Sequence, residues 1–134
     1  MSVSSSDFLD LARRNLISSP REIECRNTIS LAYYASYHAI KPHLSKNAPN
    51  THSALIDYLC DENMHQDEKM KSSDLRALGL LLETMKKNRV YADYFLKKNI
   101  KERDARKSII SAEAFKAVLE ELVEGRDDRS VDDQ

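Results

Sequence analysis

Only two glycines, Gly79 and Gly125, and three prolines punctuate the 134 residues of this chain. Hairpins and tight turns draw on those two residue types for their backbone angles, so a chain this poor in both has little means of building a sheet. Abundant Leu, Ala, Glu, Lys and Arg, all good helix formers, point the same way. The expected fold is all-α, an antiparallel bundle of four to five helices. With 41% hydrophobic and 32% charged residues, one domain of this length buries a core and solvates its surface. That domain is expected over residues 1–125. The remainder, RDDRSVDDQ at 126–134, has four aspartates and almost no apolar side chain, which predicts a disordered acidic tail.

Periodicity and capping signals place the helices. The first is expected over about residues 6–18, starting at Ser5 or Ser6 and burying Phe8, Leu11 and Ile17. Ser19, Pro20 and Glu22 combine a capping hydroxyl, a first-turn proline and a capping-box carboxylate, so the second helix should start there and run to Lys41, where Pro42 ends it. A third helix is expected over 51–61, capped by Asn50 or Thr51 and presenting Leu55, Ile56, Tyr58 and Leu59. Residues 62–71 are almost entirely polar and read as a solvated linker. The fourth helix should start at Ser72 or Ser73, carry a stripe of Leu75, Leu78, Leu82 and Met85, and continue to about residue 98. The fifth, over 102–124, should bury Ile109, Ala112, Phe115, Val118, Leu119 and Leu122 and stop at Gly125. The second and fourth helices are expected to form the central pair.

A formal net charge of −1 supplies no global attraction to nucleic acid, so any RNA contact needs a local basic patch. Lys86, Lys87 and Arg89, then Lys97, Lys98, Lys101 and Arg103, are the candidates. Cys25 and Cys60 lack the spacing of a disulfide scaffold or zinc site, which predicts reduced thiols and a cytoplasmic compartment. No stretch is long enough to span a bilayer, and MSVSSSDFLDLARRN lacks the order of a secretion signal, so no membrane association is expected. His38, His43, His52 and His65 form no H-x-x-x-H pair, so no metal and no cofactor is expected. Glycines only at 79 and 125 rule out the phosphate-binding loop motifs. Ser30 has no histidine at helical spacing and lacks the base that acyl transfer requires.

Two segments carry the strongest site signal: RNTISLAYYASYH at 26–38 and NRVYADYFL at 88–96. At 100° per residue, Arg26, Ser30, Tyr33 and Tyr37 fall within roughly 60° of one another. In the fourth helix, Arg89 and Asp93 continue the apolar stripe where more apolar residues belong. An unpaired buried charge costs several kcal/mol, so Arg89 and Asp93 are expected to meet the hydroxyl seam of the second helix. Tyr33, Tyr34 and Tyr37 have two readings, stacking on RNA bases or packing in the core with their hydroxyls bonded. Arg89 and Asp93 likewise read as a structural ion pair or as a functional site.

RNTISLAYYASYHAI resembles the R-x-x-x-S-R-A-Y-Y-A-x-F-H helix of small bacterial HEPN proteins (higher eukaryotes and prokaryotes nucleotide-binding), and RVYADYFL resembles their later R-x-x-A-D-Y-x-L segment. The resemblance spans about residues 5–120. It implies an antiparallel HEPN-like bundle, a homodimer, and membership of a toxin–antitoxin or phage-defence system. It also implies RNA as a partner, through a metal-independent endoribonuclease or a subunit docking a nucleotidyltransferase or other protein. Catalytic members carry R-x4-6-H, and no arginine here precedes a histidine at that spacing. Tyr94 stands five residues after Arg89, and Leu31 replaces the family's arginine after Ser30. A phenol is a poor base at neutral pH, which weakens a nuclease reading.

The expected site is therefore Arg89, Asp93 and Tyr94 as catalytic candidates, with Arg26, Ser30, Tyr33 and Tyr37 contacting RNA or nucleotide. As an enzyme, Arg89 and Arg26 clamp a phosphate, Asp93 orients Arg89, and Tyr94 or Tyr33 supplies a proton. As a binding module, the same groups lock the second and fourth helices together.

Overall fold

Capping boxes set where the first two helices begin in the computed structural model, which describes residues 2–132, with side chains through residue 125. α1 spans Ser5–Arg14, and the Asp7 carboxylate accepts the Ser4 backbone N–H at 2.8 Å. α2 spans Glu22–Ile40, where Glu24 does the same for Arg21 at 3.0 Å. The expected cap at Ser19 is displaced: Ser19 adopts φ 34° in the turn between α1 and α2, and α2 begins after Pro20. Pro42 ends α2 as expected, and the chain continues in a 3-10 turn over Lys41–His43. α3 is His52–Cys60, α4 is Ser72–Tyr94 and α5 is Glu102–Asp132.

α2 is the hub of an all-α bundle. Buried residues occur on all its sides, and α1, α4 and α5 pack against it, while α3 packs on α4. The expected central pairing of α2 with α4 is thus one of three comparable contacts. Small residues at Ala12, Ala32 and Ala35 let the neighbouring backbones approach closely, and the Thr28 hydroxyl donates to the Ala12 carbonyl at 3.0 Å in the α1–α2 seam. Gly79 serves the α3–α4 contact: a Cβ there would stand 2.8 Å from Leu59 Cβ and 3.0 Å from Cys60 Sγ.

Several expectations are corrected. α1 stops at Arg14, turning Leu9, Ala12 and Leu16 inward and leaving Leu11 and Ile17 exposed. Val118 is exposed on α5, whereas Ile109, Ala112, Phe115 and Leu119 are buried as expected. Gly125 does not stop α5, because it keeps helical geometry and the backbone runs on to Asp132. The side chains of the expected tail, and residues 133–134 entirely, lie outside the described residues. Residues 62–71 are held down: His65 and Met70 are buried, and Glu68 accepts from the Ser45 N–H at 3.1 Å and from the Tyr58 hydroxyl. Hydropathy hides such a segment because its anchors are polar side chains with buried partners.

No helix among the described residues is long and apolar enough to cross a membrane. Among them, too, no three His, Cys, Asp or Glu side chains gather to hold a metal ion. Cys25 and Cys60 are free thiols, both pushed up in pKa by burial.

Candidate functional site

Two arginines from the seam separate into different roles. Arg26 is 5% exposed and points at the end of α4. Its Nη1 donates to the carbonyls of Ala92 at 2.8 Å, Phe95 at 3.3 Å and Tyr91 at 3.4 Å, and its Nη2 to those of Leu96 at 3.3 Å and Lys98. A helix leaves its last carbonyls without partners, and this guanidinium collects them. That is why α4 ends at Tyr94 instead of running to residue 98, and why Arg26 does not reach the site with Arg89.

Arg89 turns the other way, into the tyrosine row of α2. Its Nη1 donates to the Tyr34 hydroxyl at 2.7 Å, and its guanidinium carbon stands 5.5, 5.7 and 6.0 Å from the ring centroids of Tyr34, Tyr33 and Tyr94. Asp93, one turn on, lies 3.6 Å from Arg89 Nε and accepts the Ser30 hydroxyl through its other oxygen. The expected contact between the Arg89–Asp93 pair and the hydroxyl seam is thus present through Ser30 and the Tyr33 ring, while the hydrogen bond from Arg89 goes to Tyr34, outside that seam. Side-chain exposures of 14% for Arg89 and 30% for Asp93 leave the pair at the rim of the bundle. The guanidinium is far from saturated. Among the described residues, one of its five N–H donors makes a hydrogen bond, and Nε is buried with no hydrogen-bond partner.

His52 completes the cluster and was not singled out by sequence. As the first residue of α3, it lays its ring against Tyr37 with centroids 3.9 Å apart and places Nδ1 2.7 Å from the Tyr33 hydroxyl. Burial, then the positive charges of Arg89 and Lys86 and finally His38, push its pKa below the ordinary value, so the imidazole is neutral at pH 7. Tyr37 also donates to the Asn50 carbonyl at 3.3 Å. Burial raises the Tyr33 phenol well above its ordinary range and the Tyr37 phenol above its own, so neither is a ready proton donor. Tyr94 is 69% exposed, with the Arg89 guanidinium carbon at the outer limit of cation–π range from its ring.

No protein-family model, curated protein or solved structure matches the chain.

The structure therefore brings together Ser30, Tyr33, Tyr37, Arg89, Asp93 and Tyr94, and removes Arg26. It adds Tyr34 and His52. Tyr34 had a sequence signal, since Arg89 needed a hydroxyl partner and Tyr34 adjoins Tyr33 on α2. His52 had none, because it lies 37 residues before Arg89 and only the packing of α3 on α4 brings it near. His38 stacks on Phe8 with centroids 5.2 Å apart, at the edge of the same aromatic group.

Proposed function

We propose that this chain is a HEPN-like, RNA-associated component of a bacterial toxin–antitoxin or phage-defence system, acting as a homodimer or beside a protein partner, with Arg89 contacting the RNA phosphate backbone. The observation that supports this reading is the unsaturated Arg89 guanidinium. Arg26 shows what a structural arginine does here: it donates to five carbonyls. Arg89 spends one hydrogen bond on Tyr34 through Nη1 and, apart from the buried Nε, keeps its Nη2 donors at the rim of the bundle, where a phosphate oxygen satisfies them. Asp93 and the tyrosine rings hold the guanidinium in place, so little entropy is lost on contact.

A second reading, cleavage as well as binding, is favoured by His52. A neutral imidazole beside Arg89 is suited to accept a proton from a ribose hydroxyl, which Tyr94 is not.

The test measures anisotropy of labelled single-stranded RNA with the intact chain, Arg89→Ala and Arg89→Lys, after thermal melts confirm folding. Loss of a charged contact to phosphate weakens binding by about tenfold in Arg89→Ala and flattens the salt dependence by about one phosphate. Arg89→Lys keeps the charge and loses less. Absence of RNA binding, or equal affinity in all three proteins, overturns the proposal. Incubating the same RNA in EDTA, with His52→Asn alongside, decides whether cleavage accompanies binding.

A further inference from the structure

A groove of about 520 Å³ runs between α3 and α4. Its floor is apolar, with Ile56 and Val90, and one end is walled by the rings of Tyr91 and Phe95, whose centroids lie 4.9 Å apart. Both rings are nearly half exposed, unusual for aromatics that pack only for stability. Lys98 stands 4.3 Å from the Tyr91 centroid without lining the groove. One contact links the groove to the Arg89 cluster: Lys86, one turn before Arg89, donates to Ser53, the residue after His52, and both Lys86 and Ser53 line the groove.

Charge is arranged unevenly along the walls. Lys87 is paired with Glu83 at 3.5 Å. Asp57, exposed on α3, makes no ion pair or side-chain hydrogen bond with the described residues and lines the groove as a free acceptor. Aromatic walls offer a stacking surface, Lys86 offers a cation between groove and guanidinium, and Asp57 offers an acceptor for an amino group.

We propose that this groove is a nucleobase subsite: it takes the base beside the phosphate held by Arg89, and it favours bases that carry an exocyclic amino group. This rests on the RNA reading above. Cytosine N4 and adenine N6 donate to a carboxylate, whereas uracil presents a carbonyl at the corresponding position and meets Asp57 with like polarity.

The experiment compares short labelled oligocytidine, oligoadenosine and oligouridine by anisotropy, using the full chain, Phe95→Ala, Asp57→Asn and Arg89→Ala. The subsite predicts that C and A bind about fivefold or more tightly than U. Phe95→Ala weakens all three by about tenfold through lost stacking. Asp57→Asn, whose amide presents a donor as well as an acceptor, erases the preference by weakening C and A binding and strengthening U binding. Phe95 lies outside the core, and Asp57→Asn carries the test if Phe95→Ala does not fold. Equal affinities for C, A and U, with neither groove variant having an effect, overturn the subsite while a continued loss in Arg89→Ala leaves the RNA reading standing. Indifference of every oligonucleotide to Arg89→Ala overturns that reading and the subsite with it.

Discussion

Replacing Arg26 with alanine should be among the most damaging single changes in this chain. Five carbonyls at the end of α4 and in the segment just after it accept from its guanidinium, but they do not count equally. The contacts to Ala92 at 2.8 Å and to Lys98 are the two close ones, while those at 3.3–3.4 Å are weaker. Two good bonds from a charged donor are worth about 3–6 kcal/mol, reduced because water reaches the partly exposed carbonyls once the side chain is gone. The expected loss is about 4 kcal/mol. At roughly 3–4 °C per kcal/mol for a chain of this size, the melting temperature falls by about 12–16 °C. Arg26→Lys places one compact charge where a planar fork reached two directions, so it recovers less than half. Arg13→Ala, which removes an exposed pair with Asp10 at 3.2 Å, is the control and should change stability by less than about 1 kcal/mol. Thermal circular dichroism on the three variants measures all of this. An Arg26→Ala protein that melts within about 3 °C of the parent refutes the capping role.

The two glycines should respond oppositely to alanine. Gly79→Ala forces a methyl to 2.8 Å from Leu59 Cβ and should destabilise by about 1–3 kcal/mol despite alanine's better helix propensity, whereas Gly125→Ala meets nothing within 4 Å among the described residues and should stabilise by about 0.5–1 kcal/mol; chemical denaturation of both resolves the signs. His52 gives a pH signature. Its folded pKa lies below the unfolded value of 6.5, so the unfolded chain binds the extra proton, stability is fully present above that value, and it declines as pH falls from there toward the folded pKa. Denaturation curves across that window should lose this component in His52→Asn. Tyr34→Phe removes the hydroxyl that accepts from Arg89 at 2.7 Å and should cost about 1–2 kcal/mol while leaving the fold intact; an unchanged denaturation midpoint contradicts the contact.

Helix content was legible because scarce glycine and proline leave few alternatives, and α3 and the α4 stripe follow directly from apolar spacing. The Arg89–Asp93 pair was legible for a related reason: charges in line with Leu78, Leu82 and Met85 must find partners on the helix that the stripe faces. Arg26 carried the same kind of signal with a different answer. Its spacing places it beside Ser30 on α2, but its reach is decided by how the chain folds back after Tyr94, which depends on Phe95–Lys98 offering their carbonyls. His52 and the anchors of 62–71 were illegible because each works through one tertiary contact, and periodicity has nothing to report about a residue whose partner lies on another helix.

The central claim, that Arg89 faces the bundle rim with donors ready for phosphate while Arg26 is fully engaged, is open to direct measurement by nitrogen-15 NMR of the arginine Nε–H resonances, assigned with Arg89→Lys and Arg26→Lys. On titration with single-stranded RNA the Arg89 resonance should move and saturate while that of Arg26 stays fixed. An Arg89 resonance that does not respond to RNA at any concentration contradicts the account.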